Sequence, residues 1–164
     1  MTIRTGRGVA AAVALATAAI LALALALPAS AARELTLTTR NLVRAVHDIP
    51  STGPSTGDIV TVAGVLFGED GTRVGRFDLV AVVTDLQLGR EMRMTTIELD
   101  WDDSDDAILI EGAEDYPAGG GLPTDELVWA ISGGTGAYAT ARGEARITYD
   151  TATERFTLRL ALAD

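Results

Sequence analysis

The chain has 164 residues, a formal net charge of −10 and no cysteine, and all 13 of its basic residues are arginine. Without cysteine it forms no disulfide, offers no thiolate nucleophile and holds no cysteine-ligated metal. An acidic surface repels nucleic acid and anionic lipid, so both are discounted as partners.

In chain order, Arg4 and Arg7 precede an apolar run over 9–27, Pro28 breaks that run, and Ala29-Ser30-Ala31 supplies a small-residue cleavage site. This order reads as a secretory signal peptide over 1–31, leaving one secreted domain over 32–164 with no membrane attachment after cleavage. The alternative is an uncleaved anchor, because the apolar run is long enough to cross a bilayer. From residue 34 onward, period-two alternation and turn residues replace helical periodicity. Strands are predicted over 34–40, 58–67, 76–84, 92–100, 107–113, 126–132, 138–149 and 155–162. A Pro/Gly/Ser loop fills 48–57, and Gly68-Glu69-Asp70-Gly71 and residues 150–154 read as hairpin turns.

Several of these strands are apolar on both faces. In 58–67, Ile59, Ala63, Val65 and Phe67 alternate with Val60, Val62 and Leu66. Closing eight strands into an antiparallel barrel buries one face and can enclose a small ligand. The apolar residues left outside imply a homo-oligomer, a trimer or a dimer. A two-sheet sandwich is the competing architecture.

The stretch from Trp129 to Gly143 contains Gly133-Gly134-Thr135-Gly136, which superficially looks like a nucleotide-binding turn. Such a turn must open a helix whose N-terminus holds phosphate. Here Ala141, Gly143, Ala145, Ile147 and Tyr149 alternate with Arg142, Glu144, Arg146 and Thr148 instead, which is strand periodicity. The glycines therefore turn the chain between strands, with Gly143 expected at a bend or bulge.

On these residues, Ala130-Ile131-Ser132-Gly133-Gly134-Thr135-Gly136 followed by Tyr138 and Ala141-Arg142-Gly143, the chain resembles the dirigent proteins and allene oxide cyclases. Gly57-Asp58, the Gly71 to Arg76 stretch and Ile108-Leu109-Ile110-Glu111-Gly112 extend the resemblance over most of 57–162. It implies an eight-stranded calycin-like barrel of the allene oxide cyclase type, often trimeric, with an apolar pocket and no cofactor. It also implies cyclisation of a reactive intermediate or steered coupling of phenolic radicals. Two departures stand out: the pocket cysteine of allene oxide cyclases is missing, and Ala137 occupies the place where some dirigent proteins carry aspartate.

A cofactor-free cyclase or isomerase needs an acid and a cation facing an apolar cavity, whose low dielectric strengthens both. The candidate catalytic residues are Asp78, between Phe77 and Leu79, Glu111, within an apolar strand, and Arg142. Trp129, Tyr138 and Phe77 are the candidate ligand-binding aromatics, with Tyr138 and Arg142 expected on one strand face. For each polar candidate the alternative is an outward surface side chain, and for each aromatic it is ordinary packing.

Metal and hydrolytic sites are not expected. The acidic run 100–106 has oxygen ligands at EF-hand spacing, but Asp105 stands where that loop needs glycine. The single histidine, His47, has no G-x-S-x-G elbow to serve. The resulting expectation is a secreted barrel that binds a small hydrophobic or phenolic molecule and guides its cyclisation or coupling. A non-catalytic carrier and a structural extracellular oligomer are the alternatives.

Overall fold

The computed structural model describes residues 33–49, 52–119 and 121–163. The expected signal peptide over 1–31 lies outside the described residues. Eight strands follow in order: β1 (Arg33–His47), β2 (Ile59–Phe67), β3 (Arg73–Gln87), β4 (Arg90–Trp101), β5 (Ala107–Pro117), β6 (Leu127–Thr135), β7 (Arg142–Asp150) and β8 (Arg155–Ala163). Each pairs with the next and β8 returns to β1, giving a closed antiparallel barrel in meander order. The protein is all-β, and the barrel rather than the sandwich is the architecture.

Alternation decides which side chains fill the barrel. On β3, Phe77, Leu79, Ala81 and Val83 are buried while Arg76, Val80 and Val82 are exposed. On β8, Phe156, Leu158, Leu160 and Leu162 point inward, and Phe156 meets Phe77 edge-on with ring centroids 5.9 Å apart. Each such side chain contributes about 1.5–3 kcal/mol by leaving water. Closure removes the sheet edges that an open meander would expose.

The meander gives the barrel two ends. The β1–β2, β3–β4, β5–β6 and β7–β8 connections gather at one, here the upper end, and the other three at the lower. Asp58 fixes the first upper connection: its carboxylate accepts the Ile49 and Ser55 amides at 2.8 and 2.7 Å and the Ser55 hydroxyl at 2.8 Å.

The glycine-rich stretch ends β6 and enters a single 3-10 turn, Gly136–Tyr138, at the lower end. Gly136 has φ of +55°, the left-handed region that glycine favours, and Asp106 accepts the Ala137 amide at 2.7 Å. β7 consequently starts at Arg142 rather than at the expected residue 138, and Tyr138 and Arg142 do not share a strand. A register shift falls between Leu109 and Ile110, opposite Gly133 and Ile131. Gly143 keeps its register with Ile131 and Leu162, but its φ of +143° is a conformation that glycine favours, a local backbone distortion without a bulge. In the acidic run, Asp102 pairs with Arg73 and Asp100 with Arg76, each at 2.8 Å.

Candidate functional site

β4 carries an unusual inward face. Ile97 and Leu99 continue the apolar core, but in the same phase Glu91, Arg93 and Thr95 also point inward and are buried. Met92 and Met94, in the opposite phase, are exposed. A barrel interior is thus apolar below and polar above, with the change midway along one strand.

Glu91 and Arg93 form an ion pair with side chains 2% and 1% exposed. One carboxylate oxygen accepts both Arg93 Nε at 2.8 Å and Arg93 Nη2 at 2.6 Å. The other accepts the backbone amide of Gly119. Arg93 also donates to the Gly121 carbonyl at 2.7 Å and the Pro117 carbonyl at 3.2 Å. Burial makes such a pair costly unless its remaining donors and acceptors are satisfied; here the β5–β6 connection satisfies them.

Arg93 lies over the Tyr116 ring, 4.5 Å from its centroid, a cation–π arrangement strengthened by desolvation. Burial pushes the Tyr116 phenol up to about 12, offset in part by the Thr95 hydroxyl and the Arg93 charge. Tyr116 is therefore a neutral phenol throughout the physiological range.

Beneath this cluster lies a cavity walled by Leu79, Ala81, Ile97, Leu127, Ile147 and Phe156, with Arg93, Thr95, Tyr116 and Trp129 supplying its polar atoms. Leu122 and Pro123 of the β5–β6 connection close it. The space open to a water molecule's centre is about 10 Å³, roughly what one water needs. Two buried donors on this wall, Thr95 Oγ1 and Trp129 Nε1, have no hydrogen-bond partner among the described residues. The Thr95 hydroxyl influences the neighbouring phenol without the geometry of a hydrogen bond. Gly112 makes room for Trp129: it is the register partner of Thr95, and a Cβ on it would fall inside the indole.

Of the residues singled out in the sequence, Trp129 lines this cavity and Phe77 belongs to the surrounding core. Tyr138 is buried at the opposite, lower end, stacked on Trp101 with ring centroids 4.9 Å apart and hydrogen-bonded to Arg33 at 3.4 Å. Asp78, Glu111 and Arg142 are not brought to the cavity. Asp78 alternates with the inward Phe77 and Leu79, and its carboxylate is 46% exposed, 3.8 Å from Arg76. Glu111 follows the inward Ile110 and is exposed, as is Arg142, which donates to its neighbour's carbonyl, Ala141, at 2.6 Å.

Sequence reasoning missed Glu91, Arg93, Thr95 and Tyr116. A signal for the first three existed: stepping back by twos from Leu99 and Ile97 lands on Thr95, Arg93 and Glu91. The methionines at 92 and 94 compete for the same interior on hydrophobicity alone, and lose.

The chain matches no family model and no curated protein. Among solved structures it is similar to a pyocyanin demethylase, with TM-score 0.65 and 24% identity over 80% of this chain and 100% of that one. It is also similar to a nonspecific heme-binding cyclase that catalyses a 4 + 2 cycloaddition during neoabyssomicin biosynthesis, with TM-score 0.62 and 16% identity over 100% and 81% of the two chains. The Diels–Alderase AbmU from Streptomyces koyangensis has TM-score 0.57 and 15% identity over 99% and 83%. These likenesses show the fold. The names are those of a demethylase and of barrel cyclases, not of dirigent proteins or allene oxide cyclases, so the family resemblance holds at the level of a small β-barrel.

Proposed function

We propose that the upper half of the barrel binds a small hydrophobic or phenolic molecule and guides its cyclisation or coupling. The observation that carries this reading is the pair of unpartnered donors, Thr95 Oγ1 and Trp129 Nε1, on a wall that is otherwise apolar apart from Arg93 and Tyr116. Buried polar groups are nearly always paired, and each exception calls for an explanation. A ligand oxygen is one. Confinement in a single folded shape lowers the entropic barrier to ring closure, and fixed donors stabilise negative charge developing on that oxygen. The cyclases among the similar structures support this chemistry without assigning a substrate. The finer affiliation with dirigent proteins and allene oxide cyclases rests on the motif around residues 130–143.

A second reading follows from the cavity's size. With room for about one water, the barrel also fits a structural role in which packing is complete. One titration separates the two. Replacing Trp101 by Phe leaves Trp129 as the only tryptophan of the two in the chain. A panel of phenols and conjugated polyenes is then titrated while its emission is recorded. A saturable change with at least one class supports the ligand barrel; none across the panel, with the protein folded, favours the structural role.

The proposal extends to export, on the strength of residues 1–31, and to self-association. Val80, Val82 and Met94 form an exposed apolar band on neighbouring strands, with Val82 and Met94 in register. A second copy would cover it, and sedimentation equilibrium would detect the dimer or trimer.

A further inference from the structure

The β5–β6 connection does more than shut the upper end. Resting on the ligand-barrel reading above, we infer that its 121–123 segment is an internal stand-in for the ligand, and that the molecule which displaces it is apolar and carries a neutral carbonyl oxygen.

What the segment places in the site is a small set of chemical features. Gly121 presents a peptide carbonyl to Arg93 Nη1 at 2.7 Å. Leu122 and Pro123 then present two apolar side chains to the cavity. With about 10 Å³ left open, an occupant larger than a water enters most readily by taking the place of these side chains, the two lining residues that do not lie on a strand. Displacing them withdraws the Gly121 carbonyl from Arg93 as well, because the three residues are consecutive.

The consequence for Arg93 is specific. Its Nε and Nη2 stay engaged with Glu91, which sits on the same strand. Nη1 is the donor set free, inside a closed barrel. A buried charged donor without an acceptor is costly, more so than a neutral one. The displacing molecule therefore needs an oxygen where the Gly121 carbonyl was. The other groups around the cavity ask for the same thing. Trp129 Nε1 is a donor only, and the Thr95 hydroxyl and the Tyr116 phenol, protonated well above neutral pH, each have a proton to donate. Glu91 is not among the residues that line the cavity, so the charged group on its wall, Arg93, is a donor. Charge selects among oxygen acceptors. The Arg93 cation is already neutralised by Glu91 at 2.6 Å, so a carboxylate ligand would bring an uncompensated charge into an apolar space. A ketone, ester or quinone-type oxygen brings none.

Matched probes test this. Acetylnaphthalene and isopropenylnaphthalene have nearly the same shape and differ by a C=O against a C=CH2. Both are titrated into the intact protein and into a Leu122→Ala/Pro123→Ala variant, following the Trp129 indole N–H by NMR and exchange of the Gly119 amide. The ketone is expected to bind about tenfold tighter than the hydrocarbon. It should shift the indole proton of Trp129, which lines the same cavity, bind tighter still to the variant, and lower the protection of the Gly119 amide in the intact protein. Equal affinity of the two probes would overturn the carbonyl inference while leaving the ligand barrel standing. Ketone binding with Gly119 protection unchanged would overturn the displacement. If neither probe binds the folded variant, the ligand-barrel reading fails with it.

Discussion

Removing Glu91 should destabilise the protein far more than its place near a barrel end suggests. In Glu91→Ala, Arg93 keeps the Pro117 and Gly121 carbonyls but loses its only carboxylate, while remaining 1% exposed. Breaking a buried pair by removing one partner costs about 3–5 kcal/mol, because the surviving charge has nowhere to go. Arg93→Ala should cost a similar amount, leaving Glu91 with the Gly119 amide alone. The double variant Glu91→Met/Arg93→Met removes both charges and fills the space with apolar side chains of similar length. It should cost less than either single change, since no charge is stranded. Urea denaturation of the four proteins ranks these costs directly. At a slope of about 2 kcal/mol per molar urea, each single variant should lower the midpoint by roughly 2 M. A single variant that costs under about 1 kcal/mol would refute the burial argument, as would a double variant that costs more than either single.

Three other perturbations probe separate parts of the account. The Tyr116 phenol, raised by burial from the ordinary 10.0 to about 12, stabilises the fold fully below pH ~10. That stability, about 2–3 kcal/mol, is lost as pH rises through about 12; absorbance at roughly 295 nm should show one tyrosine ionising last, and its loss in Tyr116→Phe assigns it. Gly112→Ala puts a methyl where the Trp129 indole lies; it should cost about 1–3 kcal/mol from overpacking and shift Trp129 emission in the Trp101→Phe background. For Asp58, the hydrogen bonds from Ile49 and Ser55 hold the carboxyl below its usual 3.8. Its contribution is present above the unfolded-state value and fades as pH falls through the lower folded one, so the urea midpoints of wild type and Asp58→Ala should differ at neutral pH and converge in strong acid.

The strands were legible wherever alternation was uninterrupted. Over 58–67 and 155–162 the expected and observed limits agree to within a residue. β1 runs on from the expected end at residue 40 to His47 because a bulge between Asn41 and Val43 shifts its register there. A phase change of this kind erases the period-two signal while pairing continues. The residues around Tyr138 do not distinguish a 3-10 turn from a strand start, so pattern alone reads it as strand. The candidate site was legible at Trp129 and not at its partners. A lone acid among apolar residues drew attention to Asp78 and Glu111, yet their apolar neighbours are the ones that face inward. Glu91 and Arg93 sit beside two methionines, and only closure of the barrel, with a loop above to bind them, makes a charged interior affordable. Pairing across that loop, at sequence separations of 24 to 28, is invisible to local pattern.

The most direct test of the account is where a ligand perturbs the protein. Backbone and indole shifts, mapped while acetylnaphthalene is added to the intact chain, locate it residue by residue. The ligand barrel predicts shifts confined to Ala81, Thr95, Tyr116, Leu122 and Trp129 around the upper interior. Shifts confined to the outer band of Val80, Val82 and Met94, with the Trp129 indole unmoved, would contradict it.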